Sequence, residues 1–384
     1  MPSRYDLDRG DLEALLADQP RYRVDQVWDG LYRQGRDPEA ITNLPLALRS
    51  SLAEHLPLAL DEVARRTSDG GETVKWAWAV DGGHTIETVL LHYPDRSTVC
   101  VSTQAGCAMA CDFCATGQAG FARHLTVGEI VEQVVRARRA AGDRRVSNIV
   151  FMGMGEPLAN YDATWGAIQR LHDDLGIGAR GLTVSTVGIV PGIRRLATES
   201  LPVNLAVSLH AANDQLRDAL VPVNKRYPLA DLEAACAEWQ EAKGRRLSFE
   251  WAMIAGTNDR PQDADELAAI ARRQRAHVNL IPLNPTPGFG TQGSSPVAVE
   301  AFRLRLREAG VNVTVRQNRG VDIDAACGQL AGTAVAAPPP PTEIPGPRRP
   351  TDHRHPAPHG PPTTTSVTPR PWRALSAPGP SRAH

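Results

Sequence analysis

Apolar positions along the chain change period twice. Over residues 1–60 they recur at helical spacing. Leu12, Leu15 and Leu16 make one stripe, and Val24, Val27, Trp28 and Leu31 another. A turn-forming RDP at Arg36–Pro38 precedes a further apolar segment, Leu46–Leu56. The pattern predicts a small helical domain. Over 61–97 the period falls to two. In TVKWAWAV, Val74, Trp76, Trp78 and Val80 alternate with their neighbours; the turn Asp81–Gly83 follows, then TIETVLLHY, a turn near Asp95, and STVCVSTQ. This predicts a small antiparallel β-hairpin extension. Trp76 and Trp78 have the size to stack on a base, but core burial is the simpler expectation for both.

Over 98–335 the two periods interleave. Strands are predicted at Val99–Thr103, Asn148–Met152, Leu182–Thr186, Val203–Ser208, Leu247–Ile254, Val278–Pro282 and Val311–Val315. Helical patterns such as TVGEIVEQVVRARRAA and LADLEAACAEWQEAK lie between them. Such alternation predicts an α/β fold with a parallel sheet, curved into a barrel or partial barrel. Its chemistry is then expected at the C-terminal ends of the strands.

Composition changes the picture at one end. Residues 336–384 hold 15 of the 31 prolines, mixed with Arg, His and Thr. Such a segment buries too little apolar surface to offset chain entropy, so a disordered tail is expected. His353, His355 and His359 read as part of a solvated extension rather than a metal site. The formal net charge is −1, so any nucleic-acid contact must come from a local basic patch. No apolar run reaches the length of a membrane span, and MPSRYDLDRG lacks a signal-peptide core. A cytoplasmic protein with reduced thiols is the expectation.

Four of the six cysteines lie in CVSTQAGCAMACDFCATG. Cys107, Cys111 and Cys114 form a C-x3-C-x2-C run, and Cys100 stands upstream of it. A structural zinc site needs a fourth ligand, usually as a second C-x2-C pair, and none exists. A redox C-x2-C leaves Cys107 unexplained. Three thiolates on an iron–sulfur cube leave one iron open to a ligand. Cys236 sits in a helical pattern and reads as a buried apolar side chain. Cys327, before a glycine and outside any regular pattern, is a candidate reactive thiol or an inert one.

The cysteine run after a strand, with Phe113 beside Cys114, resembles the radical SAM superfamily signature. GMGEP at Gly153–Pro157 resembles that superfamily's Gly-Glu element, which implies Gly155 and Glu156 as contacts of the S-adenosylmethionine (SAM) amino group. Ser185 and the triplet Ser208, Leu209 and His210 resemble its ribose and methionine contacts. For the two serines barrel packing is the competing role, and for His210 a satisfied core histidine. Adding NLIPLNPTPG (Asn279–Gly288) and DIDAACGQLAG, the chain as a whole resembles the RlmN-type adenine-C2 methyltransferases over roughly residues 5–335. The resemblance implies a partial (β/α)6 barrel with an N-terminal helical accessory domain, a [4Fe–4S] cluster on Cys107, Cys111 and Cys114, and two SAM per turnover. It implies 23S rRNA and tRNA as substrates, an electron donor such as flavodoxin, and a monomer.

It also assigns roles. Cys327 carries a methyl group, then a covalent RNA adduct. Cys100 resolves that adduct through a transient disulfide, and Glu87, thirteen residues before Cys100, is the base. An exposed strand glutamate is the competing role for Glu87. Asn284 matches a SAM-contacting asparagine, against a simple Asn-Pro turn. Arg21, Arg23, Arg33, Arg123 and Arg319 are candidate RNA contacts or ordinary surface charges. Val321 stands where the family usually has an acidic residue. The motifs leave open a relative that methylates adenine C8, a non-catalytic iron–sulfur RNA-binding protein, and an activase that acts on a protein.

Overall fold

A computed structural model describes residues 3–284, 290, 292–326 and 328–331. Cys327, residues 285–288 of the NPTPG stretch with 289 and 291 just after it, and the Pro-rich extension lie outside the described residues. Three helices open the chain: α1 (Arg9–Leu15), α2 (Tyr22–Tyr32) and α3 (Leu46–His55). The predicted stripes face inward. Leu12 and Leu16 are buried, as are Val24, Val27, Trp28 and Leu31, while Leu15 is exposed. An Asp8–Asp11 capping box starts α1 by satisfying N–H groups that the helix leaves unpaired.

Among the described residues twelve strands follow, ten of them in one sheet. Strands β1 (Asp61–Ser68), β2 (Thr73–Val80), β3 (His84–His92) and β4 (Ser97–Cys100) form an antiparallel meander. Trp76 and Trp78 are buried on β2, with rings 5.9 Å apart. Burial commits both rings to the core, where truncating either to alanine would cost roughly 3–5 kcal/mol. They are not available to stack on a base. A short ribbon, β5 (Gln104–Gly106) and β6 (Phe121–His124), brackets the cysteine run and the short helix α4 (Ala115–Gln118).

From β4 the sheet turns parallel. Strands β7 (Val146–Phe151), β8 (Leu182–Thr186), β9 (Asn204–Ser208), β10 (Ser248–Met253), β11 (His277–Pro282) and β12 (Asn312–Val315) add in sequence order. All seven predicted strand regions are strands, Leu182–Thr186 with the same bounds and the others with ends shifted by at most three residues. Helices α5 (Val127–Ala140), α6 (Tyr161–Asp173), α7 (Val190–Thr198), α8 (Asp214–Leu220), α9 (Leu229–Lys243), α10 (Pro261–Arg273) and α11 (Pro296–Glu308) make the crossovers. Parallel strands need such connections, and helices covering them give the strands their apolar runs. This is the α/β arrangement expected from sequence. It keeps the β1–β3 meander in the same continuous sheet rather than as a separate layer. Among the described residues, no helix is long and apolar enough to cross a membrane.

The N-terminal helices dock on the crossover layer. Asp6 Oδ1 accepts from Gly128 N at 2.7 Å at the start of α5, and Trp28 Nε1 donates to Asp174 Oδ1 at 2.7 Å just past α6. They join the sheet and its crossovers in one compact unit.

Candidate active site

The C-terminal ends of the parallel strands surround a cavity of about 160 Å³. Cys107, Cys111 and Cys114 line one side, on the loop between β5 and α4. That loop turns through a left-handed Ala110, φ 51°, a conformation that costs a residue with a Cβ roughly 1–2 kcal/mol. Burial pushes the Cys107 thiol up to about 12 and the Cys111 thiol higher still, and the nearby Cys114 adds to both shifts. Buried thiols in this state become ligands when a cation displaces the proton. Among the described residues, no three Cys, His, Asp or Glu side chains are placed to hold a single metal ion. Three thiols lining one cavity are a donor set that fits an iron–sulfur cluster, whose irons are held by thiolates.

The opposite walls come from GMGEP, from the end of β8, and from β9 and β10. Gly153 and Gly155 must be glycines. A Cβ on Gly153 would lie 2.6 Å from Val101 O; one on Gly155, whose φ is 99°, would lie 2.5 Å from Gln104 Cβ. The turn thus packs directly against β4 and β5, with Glu156 N donating to Gln104 Oε1 at 2.8 Å. Glu156 lines the cavity, but its carboxylate already works for the chain. Its two oxygens accept from Leu158 N at 3.0 Å and from Val187 N at 2.9 Å. Burial nevertheless pushes this carboxyl up to about 7, against the pull of those bonds. A SAM contact from Glu156 would use the remaining lone pairs or the backbone.

Ser185, Ser208 and His210 also line the cavity. His210 adopts φ 59° and packs edge-on to Phe113 at 4.6 Å. Ala252 N donates to its Nδ1 at 3.0 Å, which leaves the ring proton on Nε2. Burial, helped by the Arg217 charge, drops its pKa to about 3, so the ring is neutral. Leu209 packs in the core instead of lining the cavity. Asn284 is buried just past β11, where its Oδ1 accepts from Asn318 Nδ2 at 2.6 Å.

Several contributors carry no sequence motif. Arg217 on α8 is fully buried and binds carbonyls: Leu209 O at 3.1 Å, Val187 O at 2.6 Å and Ser208 O at 3.4 Å. It ties the ends of β8 and β9 together. Burial lowers its pKa to about 10, so it stays charged. Glu250 and Arg316 also line the cavity. Glu250 accepts from Asn279 Nδ2 at 2.8 Å, and burial raises its pKa while Arg316 pulls it down. An arginine between a leucine and an aspartate, or a glutamate inside a buried strand, is the only signal such residues leave in a sequence.

Glu87 and Cys100 occupy a neighbouring seam. Cys100 pairs with Val89 across β4 and β3, so Glu87, two residues on, shares its face of the sheet. Glu87 is buried rather than exposed and pairs with Lys75 Nζ at 3.0 Å, also buried. Two opposite charges at this depth each carry a desolvation penalty of several kcal/mol, so neither is stable without the other. The C-terminal loop closes over this seam. Ala331 N donates to Glu87 Oε2 at 3.1 Å, and Lys75 Nζ donates to Asp324 O at 3.1 Å. On its other side the loop reaches the cysteines. Ala115 N, next to Cys114, donates to Gly328 O at 2.9 Å, and Gly328 lines the cavity. Residue 327 itself is outside the described set, as is the disulfide it would make with Cys100; the described cysteines form none among themselves. Cys236 is buried on α9.

The candidate RNA arginines divide. Arg123 is committed to Glu129 at 2.6 Å and to Asp81 O at 3.0 Å. Arg319 donates to His92 O at 2.6 Å, and Arg23 to Asn43 O at 2.9 Å. Arg33 lies 3.7 Å from Asp29. Arg21 opens α2 at an exposed position. Val321 is exposed beside Asp322, which bonds Ser68.

Comparison with known proteins agrees with this geometry. Residues 101–268 match the radical SAM superfamily. A probable dual-specificity RNA methyltransferase RlmN of Frankia alni is 52% identical over 349 residues, covering 86% of this chain and 83% of that protein. The protein of the same name from Roseiflexus castenholzii is 48% identical, covering 86% and 96%. The crystal structure of a radical SAM methyltransferase from Sphaerobacter thermophilus superposes with a TM-score of 0.84 at 50% identity, covering 87% of this chain and all of that one.

Proposed function

This chain belongs to the RlmN-type radical SAM RNA methyltransferases, with a [4Fe–4S] cluster and SAM as its cofactors, and from that premise we propose that it methylates C2 of a specific adenine in the peptidyl transferase centre of 23S rRNA. The adenine 3′ of the anticodon in some tRNAs is a second target. Adenine C2 is an electron-poor carbon, so direct displacement on a SAM methyl group fails and a covalent anchor is required.

Cys107, Cys111 and Cys114 would hold the cluster, which would supply the electron for cleavage of SAM to methionine and a 5′-deoxyadenosyl radical. The chain's own residues do the rest. The Cys327 thiolate takes a methyl group from one SAM. A hydrogen atom leaves that methyl group for the adenosyl radical derived from a second SAM. The sulfur-bound carbon then adds to C2 and ties the RNA to Cys327. Glu87 removes the C2 proton as the adduct gives up one electron, for which the oxidised cluster held by Cys107, Cys111 and Cys114 would be the acceptor. Cys100 attacks the Cys327 sulfur; the sulfur–carbon bond breaks toward carbon, which takes a proton and departs as the new methyl group. A transient disulfide remains; carbon can leave in this step because the attached adenine ring delocalises its electron pair until the proton arrives.

The observation that carries this reading is that one loop joins the seam to the cavity. Glu87 and Cys100 lie on one face of the sheet, and the loop bearing residue 327 contacts both Glu87 and the cysteine run. The test is anaerobic. Reconstituted enzyme is incubated with SAM, a reductant and unmethylated 23S rRNA fragment, and the digested nucleosides are identified by mass spectrometry. The expected product is 2-methyladenosine. Finding 8-methyladenosine would move the chemistry to the other carbon, and SAM cleavage with no methylated base would mean that the RNA target is wrong.

A further inference from the structure

We propose that Lys75 is a positioning residue for the proton-transfer step: its ammonium keeps Glu87 ionised and aimed, and binds that carboxylate to the loop around residue 327. The inference rests on the reading of Glu87 as the base.

Strand geometry puts the two side chains together. Lys75 is opposite Val89 and Ala77 is opposite Glu87, so Lys75 and Glu87 are diagonal neighbours on one face. Lys75 Nζ reaches Glu87 Oε1 at 3.0 Å, and both side chains are almost wholly buried, at 4% and 2% exposure. A carboxylate at that depth without a counter-charge takes up a proton from solvent, and a protonated carboxyl cannot accept one from C2. The ammonium removes that obstacle. Lysine in a strand of apolar side chains otherwise has no reason to point inward.

The pair also brackets the loop. Lys75 donates to Asp324 O at 3.1 Å, three residues before Cys327, and Glu87 Oε2 accepts from Ala331 N at 3.1 Å, four residues after it. One ion pair therefore fixes the base and both flanks of the residue that carries the adduct. Uptake of the C2 proton turns Glu87 neutral and weakens its hold on both Lys75 and Ala331 N. The loop is thereby loosened at the step that precedes attack by Cys100.

Full-length, cluster-reconstituted Lys75→Met, Lys75→Gln, Lys75→Arg and Glu87→Gln are compared with wild type. Melting and cluster absorbance report the fold, peptide mass reports Cys327 methylation, and denaturing gels report the covalent protein–RNA adduct. In Lys75→Met, Cys327 is expected to be methylated normally, adduct to accumulate and product release to fall about a hundredfold, as for loss of a general base. Lys75→Gln keeps a donor for Asp324 O without the charge; it is expected to stall in the same way, and it decides the matter if the methionine variant does not fold. Lys75→Arg is expected to release product without accumulating adduct. Wild-type turnover by Lys75→Gln, or a parallel loss of Cys327 methylation and product with no adduct, overturns the inference. If Glu87→Gln stalls at the adduct while Lys75→Gln does not, Lys75 alone loses its role. If Glu87→Gln turns over normally, the reading of Glu87 falls, and that of Lys75 with it.

Discussion

Cys107, Cys111 and Cys114 come to one cavity within eight residues of chain, whereas Lys75 meets Asp324 across a separation of 249 residues and Glu87 meets Ala331 across 244. The strand-end basin is local. A loop, a glycine turn and a few strand ends each bring their own chemistry, and the sheet sets them side by side. The seam beside it exists only after the first strands and the last loop have met. The basin is suited to holding cofactors and the seam to handling the substrate adduct. Damage to the basin should therefore stop SAM cleavage and RNA methylation together, while damage to the seam should stop only the second.

The largest effect is expected in the basin. Cys111→Ala should leave the protein unable to retain its cluster, with iron content, SAM cleavage and RNA methylation all lost; metal analysis and 5′-deoxyadenosine release measure this. Next comes the seam. Glu87→Gln should lower product formation by ~10²–10⁴-fold while 5′-deoxyadenosine release continues. Loss of both activities in that variant would erase the distinction between the regions.

Arg217→Met should weaken SAM binding by about tenfold, because the carbonyls that end β8 and β9 lose a charged donor worth roughly 1.5–3 kcal/mol per bond; calorimetric titration checks it. A subtler effect concerns Glu156, whose carboxyl is pushed from 4.5 to about 7. In cluster-free protein the folded state keeps this proton through the window from about pH 5 to 7, where the unfolded chain has released it. The folded state binds more protons there, so its contribution makes stability fall as pH rises. Glu156→Gln should flatten that part of the slope in thermal melts. The smallest effect is expected at the exposed Val321. Val321→Asp, which restores the family's usual acidic residue, should change the methylation rate by no more than about twofold, as for most surface substitutions.

The two regions also differed in how far they could be read in advance. The parallel strands and the cofactor basin were legible because their signals are short: period-two runs, the C-x3-C-x2-C spacing, and a glycine turn after a strand. Cys107, Ser185, Ser208 and His210 all line the predicted cavity. Leu209 packs in the core instead, since strand-end residues alternate between wall and core, and the motif alone does not say which way each side chain faces. The seam was legible only through resemblance, as the positions of Glu87 and Cys100. Lys75 was hidden because its partners lie on another strand and in a loop at the far end of the chain. Arg217 was hidden because three of its acceptors are backbone carbonyls, which no pattern of side chains records, beside the Asn224 amide oxygen at 2.8 Å.

The central claim is that basin and seam act on one covalent intermediate. It is tested most directly by trapping that intermediate. Cys100→Ala enzyme, with its cluster, SAM, reductant and 23S rRNA fragment, is denatured, digested with protease and nuclease, and mapped by mass spectrometry. The account predicts an adenosine joined through one carbon to Cys327, in a peptide that also contains Gly328. An adduct on a different residue, or 2-methyladenosine released at the wild-type rate with no adduct, would contradict it.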